Sequence, residues 1–387
     1  MSRAVFCFIL VAIFSASPLT RAGAQLYETK AKTAFMIDAQ TGTVLFEKDA
    51  DTPIPPASLA KLMTTELVFH ALKTGSRSMS DTFKVSENAW RTGGASSGGS
   101  TMFAKLDSVI PLQDLIRAVI VQSANDACIT IAEGFAGSEA SFATLMNDRA
   151  KELGMSKSIF KNATGLPAAG QQVTMRELAM LAKHIWKEYP HEYKIFSEPD
   201  FTWNKITQRN RNPLLSMDIG ADGMKTGFTE ETGYAIVGSV QRNNMRVFVA
   251  MSGMASERER SEESRKLLDW GASAFSSIQL YDANESMGDA SVFGGSTSSV
   301  KVGTTVPVSV LIPTANKDKL KARVSYRGPI IAPIEKGQQI GTLKVYVGEA
   351  LTQETPLVAL EDVPVGTLFQ RATSAATELM TGWIRSL

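Results

Sequence analysis

The sequence predicts an α/β protein of the α+β kind: an antiparallel sheet with helices on both sides, then a small all-β domain and a C-terminal amphipathic helix. Three patterns carry this expectation. β-prone runs lie early and late in residues 25–278 with a helix-rich middle between them, so one sheet must be assembled from sequence-distant parts. Residues 279–366 are short β-prone runs broken by Gly, Pro and Asn. In residues 367–387, Leu368, Phe369, Ala372, Ala376, Leu379, Met380, Trp383, Ile384 and Leu387 fall on one helical stripe.

The first strands are expected at Ala34 to Asp38 and Gly42 to Glu47, joined by turn residues. A helix follows. Pro55 and Pro56 precede it, Ser58 opens it, and Gly75 stands where a left-handed cap would close it. Apolar residues fall on every side of it, which predicts a buried central helix. The glycine-rich run Gly93 to Gly99 is expected to be a flexible loop, since no Gly-Lys-Ser/Thr follows it to make a phosphate cradle. Further helices are expected over Pro111 to Val121, Asp126 to Phe135, Ser138 to Leu153, Met175 to Trp186 and Glu257 to Phe275. Between them lie two β runs, Tyr234 to Val240 and Met245 to Met254, with Gly227 on the strand before them.

The 387 residues, 44% hydrophobic and 20% charged, suffice for a large core and about two domains. Lys and Arg total 40 against 39 Asp and Glu, so no global field draws nucleic acid, and none is expected as a partner. Residues 1–24 have the form of a secretory signal: Arg3 at the start, an apolar run from Val5 to Ile13, and Ala22-Gly23-Ala24 as a small-residue cleavage site. Cys7 falls inside that segment. Cys128 is then alone, and no internal disulfide is expected. His70, His184 and His191 lack metal-ligand spacing, so neither metal nor cofactor is expected.

Three short motifs remain. Ser58-x-x-Lys61 puts a hydroxyl and an amine one helical turn apart on the same face. Taken alone it reads first as a capping serine with a snorkelling lysine, since such a cap is common. Ser123-Ala124-Asn125 sits in a short link between two apolar helices, where it could turn a hydroxyl and an amide into a shared space, or simply form a turn whose Asn125-Asp126 caps the next helix. Lys225-Thr226-Gly227 precedes a β run.

The occurrence of all three in this order is a stronger signal than any one, and the set is the known signature of class A β-lactamases and penicillin-binding proteins. With Gln122 to Ala132 (QSANDACITIA), the flanks of Lys225-Thr226-Gly227, the small β domain and the amphipathic end, the chain resembles the D-alanyl-D-alanine carboxypeptidases, the low-molecular-mass class C penicillin-binding proteins. That resemblance implies the serine β-lactamase/penicillin-binding transpeptidase-like fold over 25–278 and acyl transfer from peptidoglycan stem peptides ending in D-Ala-D-Ala. It also implies acylation by β-lactams and attachment of 367–387 to the periplasmic face of the inner membrane. By the same resemblance Ser58 is the nucleophile, Lys61 its base, Ser123 a proton relay and Asn125 a ligand of the substrate amide. Lys225 and Thr226 bind the terminal carboxylate, and Ser58 and Phe228 supply backbone N–H groups to the oxyanion beside Gly227. Lys225 is expected near Lys61, each ammonium disfavouring the other's charge. Arg211 matches a basic position of relatives, and Phe228 stands where many have histidine. A secreted serine β-lactamase would need a deacylating glutamate before a Leu-Asn pair, and none is found; a non-catalytic wall-binding scaffold would not need the three motifs intact.

Overall fold

The computed structural model describes residues 27–242, 245–314, 320–347 and 350–381. The signal-like segment 1–24 and the stripe residues Trp383, Ile384 and Leu387 lie outside them. In the first unit the elements are β1 (Thr33–Asp38), β2 (Val44–Lys48), α1 (Lys61–Lys73), β3 (Thr82–Lys84), β4 (Val109–Pro111), α2 (Leu112–Val121) and α3 (Asn125–Ala136). After them come α4 (Glu139–Glu152), α5 (Met175–Glu188), β5 (Asp200–Trp203), β6 (Ile206–Arg209), β7 (Ala221–Thr229), β8 (Gly233–Arg242), β9 (Met245–Met254) and α6 (Glu257–Ala274).

The sheet order is β2-β1-β9-β8-β7, and every pair is antiparallel. β1 pairs with β9, two hundred residues away, because each alternates two apolar faces and needs partners on both. Phe35, Ile37, Val237, Phe248 and Ala250 face one core with α1 to α5; Ala34, Met36, Ile236, Val249 and Met251 face a second core with Leu267 and Leu268 of α6. This is the expected sheet with helices on both sides. Ser138, Thr174 and Ser256 cap α4, α5 and α6, each accepting the backbone N–H three residues on.

α1 is the central helix. Leu62, Met63, Val68 and Phe69 are fully buried, and so is Glu66. The Glu66 carboxylate accepts hydrogen bonds from Arg149 (2.8 and 2.9 Å) and Tyr189 (2.8 Å), with His184 Nε2 at 3.3 Å, tying α1 to α4 and α5. Burial alone would push its carboxyl up; bonds from His184, Arg149 and Tyr189 outweigh this and hold it below the usual range.

Three local expectations change. Residues Ala57–Ala60 form a 3-10 turn, α1 proper begins at Lys61, and no side-chain bond caps either, so Ser58 is not a capping serine. Asn125 and Asp126 do not cap α3 either: both lie inside its first turn, and the Asp126 carboxylate instead binds Thr101 Oγ1 (2.6 Å) and the N–H groups of Met102 and Ala104 (3.0 Å each). The Gly93–Gly99 run is not an open loop. It forms short helical turns pressed on α3, where a Cβ at Gly93 would meet Asp126 N at 2.5 Å.

α6 runs directly into β10 (Phe275–Tyr281), followed by β11 (Gly288–Phe293), β12 (Ser299–Gly303), β13 (Val308–Pro313), β14 (Leu320–Tyr326), β15 (Ile330–Ile331), β16 (Gln339–Val347) and β17 (Ala350–Ala359). β10 pairs with β13, and a six-stranded sheet β14-β16-β17-β12-β11-β15 covers a separate core that includes Val300, Val310, Leu343 and Leu357. The final helix α7 (Leu368–Thr381) is tied at its start by Gln370 Nε2 donating to Ser296 O (3.0 Å). Among the described residues no helix is long and apolar enough to cross a membrane.

Candidate active site

The site is built where the 3-10 turn, the α2–α3 link and β7 meet. Lys61, at the first position of α1, is fully buried and makes three hydrogen bonds: to Ser58 Oγ (3.0 Å), Asn125 Oδ1 (2.8 Å) and Thr164 O (2.7 Å). An ammonium has three hydrogens, and all three are directed. On losing one, the amine keeps two N–H groups for the carbonyl oxygens of Asn125 and Thr164, and its lone pair is left facing Ser58 Oγ. The arrangement therefore prepares the neutral amine to take the Ser58 proton. Burial pushes the Lys61 amine down to about 8; Cys128 and Glu139 pull it back up.

Lys225 lies on β7 and is 2% exposed, its Nζ donating to Thr226 O (3.2 Å). Burial lowers its pKa well below the ordinary lysine value, and the charges of Lys61 and then Arg211 lower it further. The expected repulsion between the two lysines thus falls on Lys225. Lys61 owes its low value to burial, a correction to the reading in which Lys225 holds it down. Arg211 is exposed; its backbone N–H donates to Val121 O (3.1 Å), and its charge reaches Lys225 from solvent.

Ser123 is buried at φ +65°, a left-handed conformation that is costly for a serine, and its Oγ has no hydrogen-bond partner among the described residues. An unpaired buried hydroxyl two residues before Asn125 is a group held ready for a partner. Gly227 brings β7 against the serine turn: a Cβ there would lie 3.2 Å from Ala57 Cβ and 3.3 Å from Ser58 N. The backbone nitrogen of Ser58 therefore lies close to the strand that carries Thr226, Gly227 and Phe228. The Phe228 ring is half exposed, at 50%, and stacks on Tyr234 with centroids 4.3 Å apart.

Sequence reasoning missed Thr164 and Gly165. The Thr164 contribution is a main-chain carbonyl, which leaves no side-chain signature; the turn run Asn162-Ala163-Thr164-Gly165 was the available signal. Gly165, at φ +78°, admits no side chain, since a Cβ would meet Ala57 O at 1.8 Å. Cys128 donates its Sγ–H to Ala163 O (3.0 Å), and burial raises its thiol to about 12, so it is an inert core residue.

A helix-flanked antiparallel sheet with a serine, a buried lysine and a Lys-Thr-Gly strand at one edge defines a serine enzyme of the penicillin-binding class. Residues 19–255 match the D-alanyl-D-alanine carboxypeptidase family, and residues 275–365 match the C-terminal domain of penicillin-binding protein 5. The chain belongs to the D-alanyl-D-alanine carboxypeptidase family. It is 38% identical to D-alanyl-D-alanine carboxypeptidase DacC of Escherichia coli, over 93% of this chain and 91% of that one. It is 34% identical to DacA of the same organism, over 88% and 85%. Penicillin-binding protein 5 of Haemophilus influenzae has a solved structure with TM-score 0.81 at 34% identity, covering 88% of this chain and 100% of that one. A structure of penicillin-binding protein D2 of Listeria monocytogenes in its ampicillin-bound form aligns at TM-score 0.56 and 30% identity, over 64% of this chain and 99% of that one.

Proposed function

We propose that the chain is a serine-type D-Ala-D-Ala carboxypeptidase that removes the terminal D-alanine from peptidoglycan stem pentapeptides and is itself acylated by β-lactams. The observation that carries this is the three-way hydrogen bonding of the Lys61 amine, which is satisfied by two acceptors once its proton is gone. In this reading Ser58 Oγ attacks the carbonyl carbon between the two D-alanines while its proton passes to Lys61 Nζ. The N–H groups of Ser58 and Phe228 stabilise the oxyanion. Ser123 relays the proton held by Lys61, passing its own to the departing amine and taking that of Lys61 in its place; the C–N bond breaks, D-alanine leaves, and Lys61 is neutral again. Water then attacks the ester, giving the shortened peptide's carboxyl group and regenerating the Ser58 hydroxyl. Asn125 binds the substrate amide, and Lys225, Thr226 and Arg211 hold the terminal carboxylate. A carboxylate beside Lys225 favours its charged form, and that charge in turn favours neutral Lys61.

The supporting domain assignment is a signal peptide over 1–24, a catalytic domain over 25–278, a small β domain over 279–366 and a membrane-attaching helix over 367–387. Leu368, Phe369, Leu379 and Met380 are 82%, 78%, 84% and 70% exposed, an apolar face suited to the membrane interface. The enzyme would then be exported and work on the periplasmic face of the inner membrane. Labelling with fluorescent penicillin tests the acyl-enzyme: wild type is expected to carry a covalent label that Ser58→Ala lacks. No label on folded wild type, or a label that survives the substitution, would remove the proposal.

A further inference from the structure

One peptide unit, Thr164–Gly165, links Asn162 to the amine of Lys61. Its carbonyl accepts from Lys61 Nζ (2.7 Å), and its N–H donates to Asn162 Oδ1 (2.7 Å). In a planar trans peptide the C=O and the N–H point in opposite directions, so a hydrogen bond that fixes one aims the other. Donating the N–H also polarises the peptide and makes its carbonyl a better acceptor. Asn162 Oδ1 takes a second hydrogen from Thr164 Oγ1 (3.0 Å), and Asn162 Nδ2 donates to Leu166 O (2.9 Å). The side chain thus grips the turn at three points.

The rest of the turn is held by other groups. Ala163 O accepts from Thr64 Oγ1 (2.8 Å) and from Cys128 Sγ (3.0 Å), which ties it to α1 and α3. Buried Gln171 accepts from Lys161 N (3.1 Å) and donates to Leu166 O (3.0 Å). Gly165 fits against Ala57 O, where a Cβ would lie at 1.8 Å. These contacts place the turn, and Asn162 sets the tilt of the peptide that meets the amine. Lys61 spends its three hydrogens on Ser58, Asn125 and Thr164, so Asn162 reaches it through that peptide.

We propose that Asn162 is a positioning residue of the base. It holds the Thr164 carbonyl on Lys61 Nζ, so that the deprotonated amine keeps two N–H groups engaged and its lone pair on Ser58 Oγ. This inference rests on the reading of Lys61 as the base. The titratable groups that face Lys61 are Cys128 from α3, Glu139 from α4 and Lys225 from β7, and substitutions at Asn162 leave all three in place.

The test follows the rate of acylation by penicillin against pH in wild type, Asn162→Ala and Asn162→Asp, with thermal unfolding confirming that each is folded. Asn162→Ala is expected to lower the plateau about tenfold, because the neutral amine is misdirected. It should also move the rising limb about one unit to lower pH, because a carbonyl acceptor of the ammonium is weakened. Asn162→Asp keeps an oxygen for Gly165 N and Thr164 Oγ1 and loses the bond to Leu166 O. Its plateau should stay within about twofold of wild type, and its added negative charge should move the limb to higher pH. Thr164→Val removes one of the two hydrogens that Asn162 Oδ1 accepts, and should act as Asn162→Ala does but more weakly. A limb that stays at the wild-type pH in folded Asn162→Ala or, if that variant does not fold, in Thr164→Val overturns the inference. So does an Asn162→Asp plateau as low as that of Asn162→Ala. Failure of wild type to be acylated would instead strike the reading of Ser58 and Lys61 beneath it.

Discussion

The floor of the active site and the C-terminal helix break the same rule in opposite directions. At the floor, Lys61 and Lys225 are buried; on α7, Leu368, Phe369 and Leu379 stand in solvent. Both departures from the ordinary burial pattern fall where function is proposed, and unlike buried Glu66 and Asp126 neither is explained by holding elements of the fold together. The difference between the two departures is what each waits for. A buried amine has its proton affinity lowered and needs no partner to become reactive, whereas an exposed apolar stripe does nothing until a surface covers it. The first should be sensitive to single atoms, and the second only to removal of the whole element.

Replacing Lys61 gives the largest expected effect. Lys61→Ala should slow acylation by penicillin and release of D-alanine by about a thousandfold or more. Lys61→Arg should not rescue it, because a guanidinium stays charged. Retention of near wild-type acylation in either variant would separate burial from reactivity and break the comparison.

A second buried charge nearby provides the contrast within α1. Glu66 is held through Oε1 by Arg149, Tyr189 and His184, so its role is structural, and Glu66→Gln should cost about 3 kcal/mol of unfolding free energy while leaving the pH profile of the remaining activity unmoved. Chemical denaturation and a pH–rate series on the same variant would show both.

The pH dependence is a finer test. Because the base must be neutral, kcat/KM should rise with pH and level off above about 8, the value to which burial brings Lys61. Glu139 pulls that value up, so Glu139→Gln should move the rising limb to lower pH. A limb that stays in place would remove Glu139 from the electrostatics of Lys61.

The smallest effect on chemistry belongs to the tail. A chain ending near Thr367 should leave the membrane fraction and keep kcat/KM within about twofold on a soluble peptide, since the tail helix packs against β11 of the small β domain. Continued sedimentation with membranes would move the attachment elsewhere.

Much of this was legible in the sequence for physical reasons. The strands with two apolar faces, the helical periodicities and the spacing of Ser58 and Lys61 are local patterns, and the helices expected from Pro111 to Phe275 formed close to their expected bounds, whereas the short strands β3 to β6 were not expected. What could not be read was set by packing between distant segments. Ser58 sits in a 3-10 turn because β7 at Gly227 and the Gly165 turn press on it from two sides. Asp126 binds the 101–104 segment in place of capping its helix, and the Gly93 end of the Gly93–Gly99 run packs on α3 for the same reason. The Thr164 carbonyl and the direction of the Lys61–Lys225 asymmetry depend on where main-chain atoms and solvent end up, which no residue identity encodes.

The most direct test is D-alanine release from a D-Ala-D-Ala peptide by wild type and by Ser58→Ala. Wild type is expected to release D-alanine, and Ser58→Ala to lose at least about a thousandfold in rate while unfolding at the same temperature. Comparable release by the two proteins would contradict the assignment of Ser58 as the nucleophile.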